Sequence, residues 1–166
     1  MDEKNLTHLN DAGEVRMVDV GDKPATRRTA VAEGVVAMPA DLVTRFFAGD
    51  LPKGDAPALV RVAGIMGAKK TPDLIPLCHP IAIDSVEIAL TPGGHGVLIT
   101  ATVSTTGQTG VEMEAMTAVA TAALTVYDMV KGVERGVTIE SVRLRKKEGG
   151  RSGTWERSEI STEIID

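Results

Sequence analysis

Three segments of this chain carry residue types that could do chemistry at their spacing: Thr71–Pro80, Thr106–Glu114 and Asp128–Lys131. In the first, Asp73-Leu74-Ile75-Pro76-Leu77-Cys78-His79-Pro80 holds a Cys-His pair between two prolines. Proline fixes its own φ and biases the residue before it away from helix, so an extended backbone with a fixed imidazole direction is expected. A histidine held this way can bind metal, shuttle protons or hydrogen-bond a substrate near neutral pH. No metal site is expected: Cys78 is the only cysteine, and His8 and His95 lie in segments without ligand-like spacing. A nucleophilic Cys78 is the weaker reading, because in an extended segment the adjacent His79 points to the opposite face.

The other two segments bound one long apolar stretch. Thr109-Gly110-Val111-Glu112 has the spacing of a capping box, which gives Glu112 a structural reading beside a chemical one. Glu114, Thr117, Thr121, Thr125 and Asp128 share a stripe at about 100° per residue, and Lys131 follows Asp128 by one turn near the stripe's edge. A solvated face with a weak ion pair is the plain alternative. Threonines suit a half-buried wall better than open solvent, so the sharper expectation is a polar seam of acid and base groups facing a cavity. The Asp128 carboxylate favours a protonated Lys131 while desolvation opposes it, and the sequence leaves that balance open.

Cations flank these segments. Lys53 precedes a Gly-Asp helix start, Lys69 and Lys70 end that helix beside the His79 loop, and Lys147 ends a strand. Scattered lysines usually serve solubility, but these positions suit phosphate neutralisation. No Gly-x-x-x-x-Gly-Lys-Ser/Thr loop is present, and no Gly-x-Gly-x-x-Gly follows a strand, so neither a P-loop nor a dinucleotide site is expected.

The elements that must position these residues follow from the patterning. Residues 29–38 suggest a strand, interrupted at Gly34. Pro39 and Gly49 bracket a helix with Leu42, Val43, Phe46 and Phe47 on its apolar face. Asp55 caps a second helix that Pro72 stops, with Leu59, Val62, Ala63 and Met66 as its buried face. Ile81–Thr91, with a bulge near Asp84–Ser85, and Val97–Thr105 form a hairpin across Pro92–Gly96. Gly110–Gly132 is the long helix. Val137–Lys147 is the last strand, with Val142 and Leu144 on one face and Arg143, Arg145 and Lys147 on the other. The β-α-α-β-β-α-β order predicts an α+β fold, a ferredoxin-like antiparallel sheet packed on helices. Residues 1–22 read as a loose arm, 23–148 as a single catalytic domain, and 149–166 as a Gly-rich, then charged, mobile tail.

Composition bounds the function. At 166 residues with 43% apolar and 25% charged residues, the chain is one folded domain. Phe46, Phe47, Tyr127 and Trp155 are its only aromatics, so the core is aliphatic and extra burial from partner subunits is expected. A net charge of −5 argues against a nucleic-acid partner, while the basic clusters Arg27–Arg28, Lys69–Lys70 and Arg143–Lys147 could hold a small polyanion. The lone cysteine suits a reducing cytoplasm, Met1–Asp11 lacks the apolar core of a secretory signal, and no apolar run approaches the ~20 residues that span a bilayer.

Taken together, the segments resemble the cyclic pyranopterin monophosphate synthase family of molybdenum-cofactor biosynthesis. The resemblance is carried by Met17-Val18-Asp19-Val20, Lys53-Gly54-Asp55, Ala63-Gly64-Ile65, the His79 octapeptide, Thr109-Gly110-Val111-Glu112-Met113-Glu114-Ala115, Tyr127-Asp128-Met129 with Lys131, and Lys147-Glu148-Gly149-Gly150. It runs from about Leu6 to Trp155. It implies conversion of (8S)-3′,8-cyclo-7,8-dihydroguanosine 5′-triphosphate to cyclic pyranopterin monophosphate with release of pyrophosphate. It implies a homohexamer, a trimer of dimers, with sites at subunit interfaces. Asp128 and Lys131 are then central to acid/base chemistry, with Lys53 a further catalytic candidate. Leu77, Cys78, His79, Glu112, Met113 and Glu114 contact substrate, and Arg28, Lys69 and Lys147 are additional basic positions. No redox cofactor is expected, and whether Mg²⁺ accompanies the triphosphate or pyrophosphate is left open. The alternatives are another nucleotide triphosphate cyclase on the same fold, or a non-catalytic oligomeric binding module.

Overall fold

Strand β1 (Thr26–Ala37) is the centre of the molecule: alternate residues Ala30, Ala32 and Val36 are fully buried on one face. In the computed structural model, which describes residues 8–10 and 12–158, β1 pairs antiparallel with β3 (Gly96–Gly107) on one side and β4 (Thr138–Glu148) on the other. Strand β2 (Ser85–Gly93) pairs with β3 through a tight Gly94-His95 connection. A two-residue strand, β5 (Trp155–Glu156), adds to β4, and the order across the sheet is β2-β3-β1-β4-β5. Its first four strands have the order of a ferredoxin-like sheet, as expected for the α+β fold; β5 is additional. Residues 1–7, 11 and 159–166, parts of the expected arm and tail, lie outside the described residues.

Gly34 does not interrupt β1. It pairs with Ile99 and Val142, and its missing side chain admits helix α4 (Glu112–Val130): a Cβ there would lie 2.6 Å from a methyl of Val119 and 2.8 Å from the Ser141 carbonyl. Helix α4 lies over β1, β3 and β4, with Ala115, Ala118, Val119, Ala122, Ala123 and Val126 sealed from solvent. Small and β-branched side chains replace the missing aromatics in this core.

Helix α1 (Ala40–Ala48) ends on Gly49 in the left-handed region and buries Leu42, Val43 and Phe46. Helix α2 (Ala56–Lys69) starts at Asp55, whose carboxylate accepts a hydrogen bond from the Ala58 amide at 3.0 Å. Its buried face differs from the expected one. Ala56, Val60, Gly64, Gly67 and Ala68 point inward, while Leu59, Val62 and Met66 are 47–58% exposed. The reason is the neighbour. The threonine stripe of α4 faces α2, and a Cβ on Gly67 would lie 2.5 Å from Thr121 Oγ1 and 3.0 Å from the Thr117 carbonyl. Two helices that close need small residues at the contact, so the larger apolar side chains of α2 turn outward. The threonine seam is therefore a helix–helix joint and not a cavity wall, and of its two charged ends Asp128 is half exposed while Glu114 is buried.

Two further expectations change. The proline-bracketed segment is not extended throughout: Thr71–Leu74 forms a short helix, α3, and the Cys78 amide closes a turn onto the Ile75 carbonyl at 3.1 Å. Only Cys78–Pro80 runs on without regular structure. Strand β2 begins at Ser85, so the break near Asp84–Ser85 is the strand's start and not a bulge. The irregularities lie in β4, where the register with β1 shifts at Val31/Ala32 and at Val35/Val36.

Candidate active site

The register shift beside Val31/Ala32 decides the place of Lys147. Ala32 pairs with Leu144 and Val31 with Lys146, which leaves Arg145 as the extra residue. One extra residue inverts the alternation beyond it. Arg143 and Arg145 both reach Glu33 on the face away from the helices, at 2.6 and 3.2 Å. Lys147 instead pairs with buried Ala30, turning to the helix side. Simple alternation, which grouped Lys147 with Arg143 and Arg145, is overturned. Its ammonium stands 4.0 Å from the Glu112 carboxylate and donates to Ser152 Oγ.

Glu112 is accordingly not a capping-box residue. The N-cap of α4 is Val111, with no side-chain cap, and Glu112 is the first helical residue. Its carboxylate lines a cavity of about 300 Å³ with Met113, Glu114, Leu77, Cys78 and His79. Cys78 and His79 thus serve the same cavity and not opposite faces. The arm closes part of its rim: His79 Nε2 lies 2.7 Å from the Val18 carbonyl. A carbonyl only accepts, so Nε2 carries the hydrogen, and in the neutral ring Nδ1 is the free acceptor. Gln108 Nε2 likewise donates to the Gly21 carbonyl at 2.8 Å.

Glu114 is 3% exposed. Burial pushes its carboxyl above the ordinary range; a backbone hydrogen bond opposes this in part, and the neighbouring Glu112 adds to it. Lys69 lies across an adjoining cavity of about 250 Å³ that Glu114 also lines. Burial, aided by Glu114, also raises the Cys78 thiol, the opposite of what a thiolate nucleophile requires.

Beyond Gly110 the cavity meets a basic one of about 200 Å³, lined by Lys23, Arg28, Gln108, Thr109, Arg151 and Ser152. Arg28 is held there by hydrogen bonds to the Gly107 and Gln108 carbonyls at 2.9 and 3.1 Å. Lys23, Arg151 and Ser152 were not among the residues expected from sequence. Lys23 lies just after the polar arm in a stretch with no periodicity, and Arg151 lies in the Gly-rich segment read as a mobile tail.

At the far end of α4 is a second cluster. Asp128 bridges two ammonium groups: Lys53 Nζ donates to Oδ2 at 2.6 Å, and Lys131 Nζ lies 2.8 Å from Oδ1. Hydrogen bonds from Lys131 and then Lys53 hold the Asp128 carboxyl at about 2, and the same contact raises Lys131. The carboxylate therefore prevails over desolvation, and the resting pair is ionised. At ~1.5 Å rise per residue, Glu114 and Asp128 stand roughly 21 Å apart along α4. One chain thus gathers Leu77, Cys78, His79, Glu112, Met113, Glu114, Arg28, Lys69 and Lys147 around one end, and Lys53, Asp128 and Lys131 at the other. It does not bring the two groups together.

Comparison with known proteins shows the family of the chain. The MoaC family matches residues 17–150. Curated relatives named cyclic pyranopterin monophosphate synthase include one from Corynebacterium glutamicum strain R, 55% identical over 150 residues, which covers 90% of this chain and 96% of the relative. Another, from Novosphingobium aromaticivorans, is 51% identical over 93% of this chain and 99% of its own length. A third, from Streptomyces coelicolor, is 56% identical over 92% of this chain and 90% of its own. On a match that spans β1 to β4, all four helices and both clusters, this chain belongs to the MoaC family.

Proposed function

We propose that this chain converts (8S)-3′,8-cyclo-7,8-dihydroguanosine 5′-triphosphate into cyclic pyranopterin monophosphate and pyrophosphate, a lyase step whose product is the one its relatives' name gives. The observation that carries the reading is the one carboxylate of Asp128 between the ammonium groups of Lys53 and Lys131, in a chain of this family. The reaction opens the five-membered ring of the purine, closes a pyrazine ring and forms a cyclic phosphate. In the last change a hydroxyl oxygen bonds to the α-phosphorus as the bond to the bridging oxygen breaks and pyrophosphate leaves. These are proton transfers and one phosphoryl displacement, so positioned acids, bases and cations supply what is needed.

With its carboxyl at about 2, Asp128 is a weak base that keeps Lys131 charged and holds both lysines in place. Lys131 is then the resting proton donor, and becomes a base only after it has given up its proton. His79 presents Nδ1 toward the base or sugar, Glu114 and Glu112 offer acceptors to ring N–H groups, and Arg28, Lys69 and Lys147 neutralise phosphate oxygens. No redox cofactor enters this scheme; Mg²⁺ would arrive with the substrate's phosphates.

A second copy of the chain would supply the missing half of each site, within a homohexamer built as a trimer of dimers. The roughly 21 Å between the clusters along α4 supports this. So does exposed apolar surface: Leu124, 61% exposed, lies on the same stripe of α4 as Asp128 and Lys131, and α2 exposes Leu59, Val62 and Met66. The proposed setting is the cytoplasm; among the described residues no helix is long and apolar enough to cross a membrane.

Incubation with the cyclised nucleotide tests the reading. Pyrophosphate together with a pyranopterin product supports it. Pyrophosphate alone indicates another cyclase, and unchanged bound nucleotide indicates a binding module.

A further inference from the structure

The family match ends at Gly150, but the chain continues as a hairpin against β4. Gly149 and Gly150 take φ of +92° and +72°, and the turn passes so close to β1 that a Cβ on Gly149 would lie 2.3 Å from the Arg27 carbonyl. The turn sets Arg151 and Ser152 on the basic cavity beside Lys23 and Arg28. The chain then returns, with Trp155 opposite Lys147 and Glu156 opposite Lys146.

Arg157 closes this hairpin at one particular place. Its amide donates to the Arg145 carbonyl and its Nε to the Leu144 carbonyl, both at 2.8 Å, and its guanidinium lies 5.8 Å from the centre of the Trp155 ring. Those two carbonyls belong to the bulge that turns Lys147 to the helix side. A bulge sets two residues of one strand against one of its neighbour and bends the strand locally. Arg157 supplies partners from the other edge, so the irregular register is held from both sides.

We propose that Arg157 is a positioning residue for the substrate's phosphates, an inference that rests on the synthase reading. By holding the bulge at Arg145, it fixes Lys147 beside Glu112 and keeps Arg151 and Ser152 over the basic cavity. It touches no reacting atom itself, so its loss acts on binding of the polyphosphate more than on the proton transfers at Asp128 and Lys131.

The test uses the full chain in its native assembly. Wild-type turnover of the cyclised nucleotide is measured first; if it is absent, the synthase reading fails and binding of inorganic pyrophosphate alone decides the present one. For Arg157→Ala, KM and the Kd for inorganic pyrophosphate are each expected to rise about tenfold, with kcat within about twofold of wild type. Arg151→Ala, a substitution in the exposed turn, should raise both in the same direction and serves as the measure if Arg157→Ala does not fold. Arg157→Lys, which keeps a cation but loses the forked donor, should recover only part of the affinity. Unchanged pyrophosphate affinity in a folded Arg157→Ala, a fall confined to kcat, or, where that variant does not fold, unchanged affinity in Arg151→Ala would overturn the proposal.

Discussion

Asp128 shows how one side chain sets the charge state of its neighbours. Bridged by two ammonium groups, it is a carboxylate at any pH well above 2, and Lys131 is held in its charged form. Asp128→Asn removes the bridge while keeping nearly the same shape. Steady-state assays are expected to show kcat lowered by about 10²-fold or more, the scale of a positioned acid–base group, with a smaller change in KM. The pH dependence of stability has a defined sign. A carboxyl depressed from 3.8 to about 2 contributes stability above the ordinary value and loses it as pH falls through the depressed one. The difference in acid stability between wild type and Asp128→Asn should therefore shrink between about pH 4 and pH 2 and vanish below it. The pair is half exposed, so that difference is small at every pH.

At the scale of elements, the α2–α4 joint sets the geometry at both ends of the site. It aligns α2, whose Lys69 faces Glu114, and the loop before it, whose Lys53 reaches Asp128. Its tightness rests on Gly67 against Thr121. Gly67→Ala introduces a methyl where 2.5 Å is available, so urea unfolding should show a loss of about 1–3 kcal/mol. Adding Thr121→Ala should restore part of it but not all, because the Thr117 carbonyl at 3.0 Å is backbone and remains. Full additivity of the two losses would mean that the helices do not meet there. The same joint explains why the apolar stripe of α2 misled: Leu59, Val62 and Met66 have helical spacing whichever surface they cover, and periodicity names a face without naming what lies against it.

For the whole molecule, the separation of the two clusters makes catalysis a property of the proposed assembly. His79→Ala and Lys131→Ala each damage every site in a pure preparation. Mixed and reassembled in equal amounts, they should regain activity at about a quarter of the sites, those that take His79 from one variant and Lys131 from the other. Activity assays on the mixture against each variant alone check this. A mixture no more active than its components would place both clusters' work within one chain.

The sequence by itself determined the β-α-α-β-β-α-β order, the caps at Asp55 and Gly49, and the residue types of both clusters, because these depend on local patterning and turn chemistry. The His79 octapeptide stood out by its bracketing prolines, and the Thr109–Ala115 run by its resemblance to the family. Tertiary structure decided what local rules cannot reach. It turned the threonine seam into a helix joint, released Glu112 from a capping role and brought Arg151 and Ser152 to the basic cavity. It also moved Lys147 across the sheet, since one bulged residue at Arg145 inverts every side chain beyond it. Alternation along β4 carries no mark of that extra residue. It exists only in the pairing of β4 with β1, two strands brought together from opposite ends of the chain.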